Sequence, residues 1–239
     1  MSLPLRIWRK APKRLPLSIG FKTRVLSFDG SDDYVRVPYD PVFDLTDNFT
    51  IETFALAKDM PYTGAPTWRV IIAKAAAIYT LVYDTYRLQI RFVVTIGGEL
   101  KTLDYPFTPD GKWHHIVGTF KSNDMRLYFD GEVVARRTDL TGPIDTNTED
   151  IYIGQQGNAR WWHGDIAIVR IYDRVLSDDE IRHNMLNYHR PKRDGLLLWF
   201  HDKMNESTWF DELGQHDGTI YGASIRSAGM GELRADIGL

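Results

Sequence analysis

From residue 25 onward the chain is cut into short runs in which apolar and polar residues alternate, each stopped by Gly, Asp, Asn or Pro. "RVLSFDG" stops at Asp29-Gly30 and "DYVRVP" at Pro38. "FTIETFAL", "WRVIIAKA", "IYTLVYD", "YRLQIRFVVTI", "LKTLDYPF", "WHHIVGTF", "MRLYFDGEVV" and "IYIGQQG" continue the series. Side chains on a strand point alternately to its two faces, so this rhythm predicts half-buried strands. In "FTIETFAL" it puts Phe49, Ile51, Thr53 and Ala55 on one face. The segments "IGG" and "FDGE" read as hairpin turns, because Gly supplies the positive φ that tight turns need. Many short strands at such intervals describe an all-β sandwich or barrel.

One segment breaks the rhythm. In "LSDDEIRHNMLNYH", Ser177 followed by Glu180 forms a capping box, and Asp178 and Asp179 suit the positive end of a helix dipole. Ile181, Met185 and Tyr188 make one apolar stripe, and Pro191 closes a short helix over about 178–188. A length of 239 residues suits one large β domain. The absence of cysteine excludes disulfides, thiolate zinc and thiol nucleophiles. No apolar run is long enough to span a membrane.

The formal charge of −3 conceals an asymmetry. Arg6, Arg9, Lys10, Lys13, Arg14, Lys22 and Arg24 all precede the first acid, Asp29, so a basic, proline-broken arm over 1–24 is attached to an acidic body. The arm lacks the apolar stretch and cleavage site of a signal peptide. Its alternatives are a surface-draped terminus or an assembly arm that grips a neighbouring subunit, an acidic surface or a nucleic acid. Residues 25–239 are then one domain.

Six pieces in register, "LSFDGSDDYVRVP", "FTIETFAL", "DGKWHHIVGTF", "MRLYFDGEVVA", "IYIG" and "GDIAIVRIYDRVLSDDEI", resemble the laminin-G-like, concanavalin A-like jelly-roll superfamily over residues 25 to about 188. The resemblance implies an antiparallel two-sheet jelly-roll sandwich with one short helix late in the chain. Its members include lectins, carbohydrate-binding modules, adhesive modules and some glucanases, so fold alone does not choose a function. The Glu-x-Asp-x-x-Glu strand of such glucanases is absent, which points away from an enzyme.

The same resemblance implies a place for one calcium, with an Asp in the late strand. Here that strand carries Ala167-Ile168 where the family has Asp-Glu, leaving Asp29, Asp32 and Asp33 as hard-oxygen candidates that equally read as turn formers. His114 and His115 are adjacent on a strand and face opposite ways, so they cannot chelate one ion. The family's pattern makes Trp113 and Trp162 core residues and turns Trp161 outward. Sugar recognition uses flat rings beside amides and charged groups. "GQQGNARWWHGD" places Gln155, Gln156, Asn158 and Arg160 beside Trp161, and "MPYTGAPTW" adds Tyr62 and Trp68.

The acid-rich tail "DGLLLWFHDKMNESTWFDELGQHDGTIYG" is similar to a strand, turn and strand that the family carries ahead of its "FDGxDDYV" piece. Asp211 and His216-Asp217 fall at the family's turn. Residues 194–226 are therefore expected to supply a rearranged edge strand and turn to this sandwich, or to be donated to a neighbour. The expected strand has Leu196, Leu198 and Phe200 on one face and Leu197, Trp199 and His201 on the other. The expected function is non-catalytic recognition and assembly: a lectin-like jelly roll that binds glycan or a surface protein and requires no cofactor. The alternative is a spike or decoration subunit of a virion or other particle, and a glycoside hydrolase ranks last.

Overall fold

The structure, a computed structural model, describes residues 22–61, 63, 64 and 67–229. The basic residues of the arm at 6–14 lie outside the described residues, as does Tyr62. Among the described residues sixteen strands follow one another. They are β1 (Lys22–Asp29), β2 (Tyr34–Val37), β3 (Phe49–Ala57), β4 (Trp68–Lys74), β5 (Tyr79–Asp84), β6 (Gln89–Ile96), β7 (Glu99–Pro106) and β8 (Trp113–Lys121). After them come β9 (Asp124–Phe129), β10 (Glu132–Arg137), β11 (Ile151–Ile153), β12 (His163–Tyr172), β13 (Leu196–Met204), β14 (Thr208–Asp211), β15 (Gly218–Tyr221) and β16 (Ser224–Gly229). Among the described residues one α-helix, α1 (Asp178–Leu186), lies between β12 and β13.

All pairings are antiparallel, as the resemblance implies for a jelly-roll sandwich. One layer runs β10-β9-β8-β3-β12 and the other β2-β11-β4-β5-β6-β7, with β13, β14 and β15 bonded in sequence between β12 and β2. β12 keeps β3 along one edge from Gly164 to Tyr172. Its other edge is divided: β1 takes His163 to Ile166, and β13 takes Val169 to Tyr172. Leu196–Met204 is thus an interior strand with partners on both sides. It is not the edge strand expected of 194–226; among the described residues β16, which extends beyond that segment, pairs with β1.

Between the layers lies the main core, with Phe28, Phe49, Phe92, Phe120, Trp162, Phe200 and Trp209 among its rings. Leu198 and Phe200 enter it, but Leu196 does not. A register shift between Ile171 and Tyr172 turns Leu196 toward Tyr172, Leu176 and Ile181 on the helix side. Trp113 is buried in the layer beneath the helix, with Phe54, Ile168, Met185 and Tyr188, not between the sheets. Both faces of β3 are therefore covered, and its polar residues are buried as well.

Those polar residues form a network under α1. Glu52 accepts hydrogen bonds from Arg170 Nη1 at 2.9 Å, Asn184 Nδ2 at 2.9 Å and, through its ring nitrogen, His115 Nε2 at 2.8 Å. Burial alone would raise the Glu52 carboxyl, but the Arg170 charge and the bonds from His115 and Asn184 win and hold it down to about 2. The capping box of α1 is present in full: Ser177 Oγ accepts from Glu180 N, and the Glu180 carboxylate accepts from Ser177 N. Ser177→Ala is expected to lower stability by about 1 kcal/mol in urea denaturation, because the Glu180 backbone N–H loses its side-chain acceptor.

The acidic tail is organised by one side chain. Asp211, fully buried, accepts from the backbone N–H of Trp199 and Leu213 on one oxygen and of Gln215 and His216 on the other. Asp217 in turn accepts from Asp211 N. These acids stabilise a turn by satisfying backbone donors that would otherwise be buried without partners. Among the described residues no helix is long and apolar enough to cross a membrane.

Candidate functional site

The candidate site is built on a tight turn after β11. Gln156 and Ala159 exchange both backbone hydrogen bonds, at 3.1 and 3.3 Å, around Gly157 and Asn158. Both central residues have positive φ, 64° and 52°, the geometry of a two-residue hairpin turn that Gly and Asn accept most readily. Gln155 Oε1 accepts from Asn158 N at 3.0 Å and locks the turn from inside. Arg160 follows, also at positive φ, and its carbonyl accepts from Val70 N on β4.

This turn walls a cavity of about 680 Å³. Trp68, Tyr152, Gln155, Gln156, Asn158 and Arg160 line it, together with Glu149 and the small or apolar Ala75, Ala77, Leu100 and Gly157. The volume falls in the range of small-ligand sites. Five of the residues singled out in the sequence (Trp68, Gln155, Gln156, Asn158, Arg160) meet there. Arg160 Nη1 donates to Gln156 Oε1 at 2.6 Å, and its guanidinium carbon lies 5.3 Å from the Trp68 ring centroid. The Arg91 guanidinium stands 5.4 Å from the same ring, held in turn by Asp84 and Asp104. Trp68 is thus fixed by two cations.

Trp161 does not line the cavity. It is half-buried 6.1 Å from Tyr34, which stacks on Tyr221 at 4.4 Å and lies 6.1 Å from Tyr152. Tyr152 belongs to both groups, so the cavity continues into an aromatic strip along β2, β11 and β15. The sequence reading passed over Tyr34, Tyr152 and Tyr221. The signal available was one Tyr per short strand on the face away from the core. Trp162 is buried in the core.

The hard-oxygen candidates also come together. Asp29, Asp32 and Asp33 can each place an oxygen within 4.8 Å of the others, a donor set that suits a hard cation. Two of them already serve the turn: Asp33 accepts from Asp29 N, and Asp29 accepts from Ser31 N. Burial, with the Asp29 and Asp32 charges, pushes the Asp33 carboxyl up. Asp165, in the late strand, is held by Lys58 at 3.4 Å and by the Arg226 guanidinium. A second donor set, His201, Asp202 and Glu212, lies in the tail, where burial pushes His201 down to about 4. Neither acidic set lines the cavity. His114 and His115 part as expected. His114 bonds Asp110 and Asp130, and His115 bonds Glu52.

The laminin-G profile described as the Concanavalin A-like lectin/glucanases superfamily matches residues 29–182, well over half the chain. The chain belongs to this superfamily. Comparison with curated proteins gives no match. Among solved structures, a candidate carbohydrate binding protein from Bacteroides ovatus superposes with a TM-score of 0.68 at 19% identity, over 87% of this chain and 61% of that one. The chain therefore spans about three fifths of that protein's length. The heptameric SAP-like pentraxin of Limulus polyphemus gives 0.60 at 11% identity, over 87% and 95%. Domain 4 of AbnA, a GH43 extracellular arabinanase from Geobacillus stearothermophilus solved with arabinotriose, gives 0.51 at 11%, over 66% and 75%. At these identities the likeness is one of fold.

Proposed function

We propose that this protein is a non-catalytic carbohydrate-recognition module whose ligand enters the cavity between the 155–160 turn and Trp68. The carrying observation is that Trp68, Gln155, Gln156, Asn158 and Arg160, drawn from two separate stretches of sequence, surround one cavity. Amides and a guanidinium at its wall match the hydroxyls and ring oxygens of a sugar, and Tyr152 with the neighbouring strip offers apolar surface for a longer chain. The lectin-like fold and the carbohydrate-associated structures that share it support the reading.

The chemistry of the wall argues against hydrolysis. Retaining and inverting glycosidases need two carboxyl groups flanking the bond. Here Glu149 is the one carboxylate among the lining residues. Binding at this cavity requires no metal, and a calcium ion at Asp29, Asp32 and Asp33 would brace the turn they already form.

The test is a glycan array followed by titration calorimetry of the best binder. Asn158→Gly keeps the left-handed turn while deleting the amide, and is expected to weaken binding roughly tenfold with no change in thermal stability. Release of shortened products from the bound glycan, detected by mass spectrometry, would show an enzyme instead. Full affinity in Asn158→Gly and Trp68→Ala together would move the site elsewhere.

A further inference from the structure

The cationic groups around Trp68 are treated unequally. Arg91 is compensated by two carboxylates, Asp104 at 2.6 Å and Asp84 at 3.2 Å. Arg160, half-buried in the cavity wall, has no carboxylate partner among the described residues. Among the described residues its hydrogen bond runs from Nη1 to Gln156 Oε1 at 2.6 Å, and Nε and Nη2 bond none of them. That bond fixes the Gln156 amide with its oxygen toward the guanidinium. The other end, Nε2, is buried in the same wall with no hydrogen-bond partner among the described residues. The Asn158 amide, in an exposed residue of the same wall, makes no side-chain bond among the described residues.

A guanidinium held in place by an amide and an aromatic ring, with Nε and Nη2 unbonded among the described residues, is arranged for a carboxylate. Holding a charge at a partly buried wall without a counter-ion costs free energy that an anionic ligand would return. Resting on the reading of this cavity as a glycan site, we propose that it selects acidic sugars, taking the carboxylate of a uronate or sialate residue on Arg160. Gln156 Nε2 and Asn158 supply the further donors. Glu149, the lining carboxylate, then accepts from sugar hydroxyls and disfavours ligands carrying charge at both ends.

The experiment uses a glycan array carrying uronate- and sialate-bearing oligosaccharides beside carboxyl-reduced counterparts, with affinities then measured by calorimetry. The expected result is binding of an acidic glycan at least tenfold tighter than its reduced form, weakening as salt rises. Arg160→Ala should erase that preference, and Arg160→Lys should restore part of it. Equal affinity for an acid and its reduced form, or binding of neutral glycans alone, overturns the proposal and leaves the glycan site standing. Binding to no glycan overturns both. If Arg160→Ala fails to fold, the acid-to-reduced ratio and salt dependence of the unaltered protein decide the matter.

Discussion

Glu52→Ala is expected to lower the free energy of unfolding by about 3–5 kcal/mol, read from urea denaturation at neutral pH. Glu52 and Arg170 are both fully buried beneath α1. Truncating the acid leaves a guanidinium in the interior with no counter-charge and strips His115 and Asn184 of their shared acceptor. What remains for Arg170 is the carbonyl of Tyr188 and the nearby Trp199 ring. The loss comes from an uncompensated buried charge more than from the attraction itself.

The same pair sets an acid limit. The Glu52 carboxyl is depressed in the folded protein, from its ordinary value near 4.5 to about 2. Its ionised form therefore contributes stability above about pH 4.5, and that contribution fades as pH falls toward 2. The gap between the unaltered protein and Glu52→Ala should narrow over that window. A gap equally wide at pH 7 and pH 3 would show that packing, not charge, dominates the loss.

Gly164→Ala is the second large effect, about 3 kcal/mol, or a fall of about 6–12 °C in the thermal midpoint for a chain this size. Gly164 sits where β12 lies between β3 and β1, paired with Ala57 and Phe28. A methyl group there would lie far inside contact with the Leu56 carbonyl oxygen, a backbone atom that cannot swing away, and close to the Trp162 indole nitrogen. Relief requires spreading two ladders at once. Gly142→Ala is the control, since its side chain would enter open space and meets only the strain of positive φ. Equal midpoints for the two variants would mean that the strands yield where the geometry says they are locked.

Strand positions and the helix were legible because alternation and capping are local: "FTIETFAL" reads as a strand wherever it is placed, and Ser177 and Glu180 cap each other. The residues of the 155–160 turn were legible as binding chemistry by residue type, and Trp68 by its place in a loop. Their convergence was not, since it depends on β11 pairing with β4 across a long sequence separation. The Glu52 network was hidden for a related reason. Period-two patterning assigns one face of β3 to water, and only the docking of α1 converts Glu52, His115 and Arg170 from surface groups to interior ones. Leu196 was misplaced because a single register shift reverses the faces beyond it. In the tail, a count of acids could not separate Asp211, which satisfies four backbone donors, from its exposed neighbours.

The divided edge of β12 bears on how the chain acquires its fold. β1 can complete its ladder only when β16 arrives, joining Lys22 to Gly229, and β2 lacks one neighbour until Tyr221 is in place. Every earlier stage exposes open strand edges near the centre of the sheet. Such non-local pairing slows folding, because much chain entropy is lost before the closing contacts form. During synthesis β1 and β2 must wait for β15 and β16, which are made much later, and in that interval they are open to pairing with other chains. The fold is closed by β15 and β16, and its yield in a cell depends on how long that closure takes.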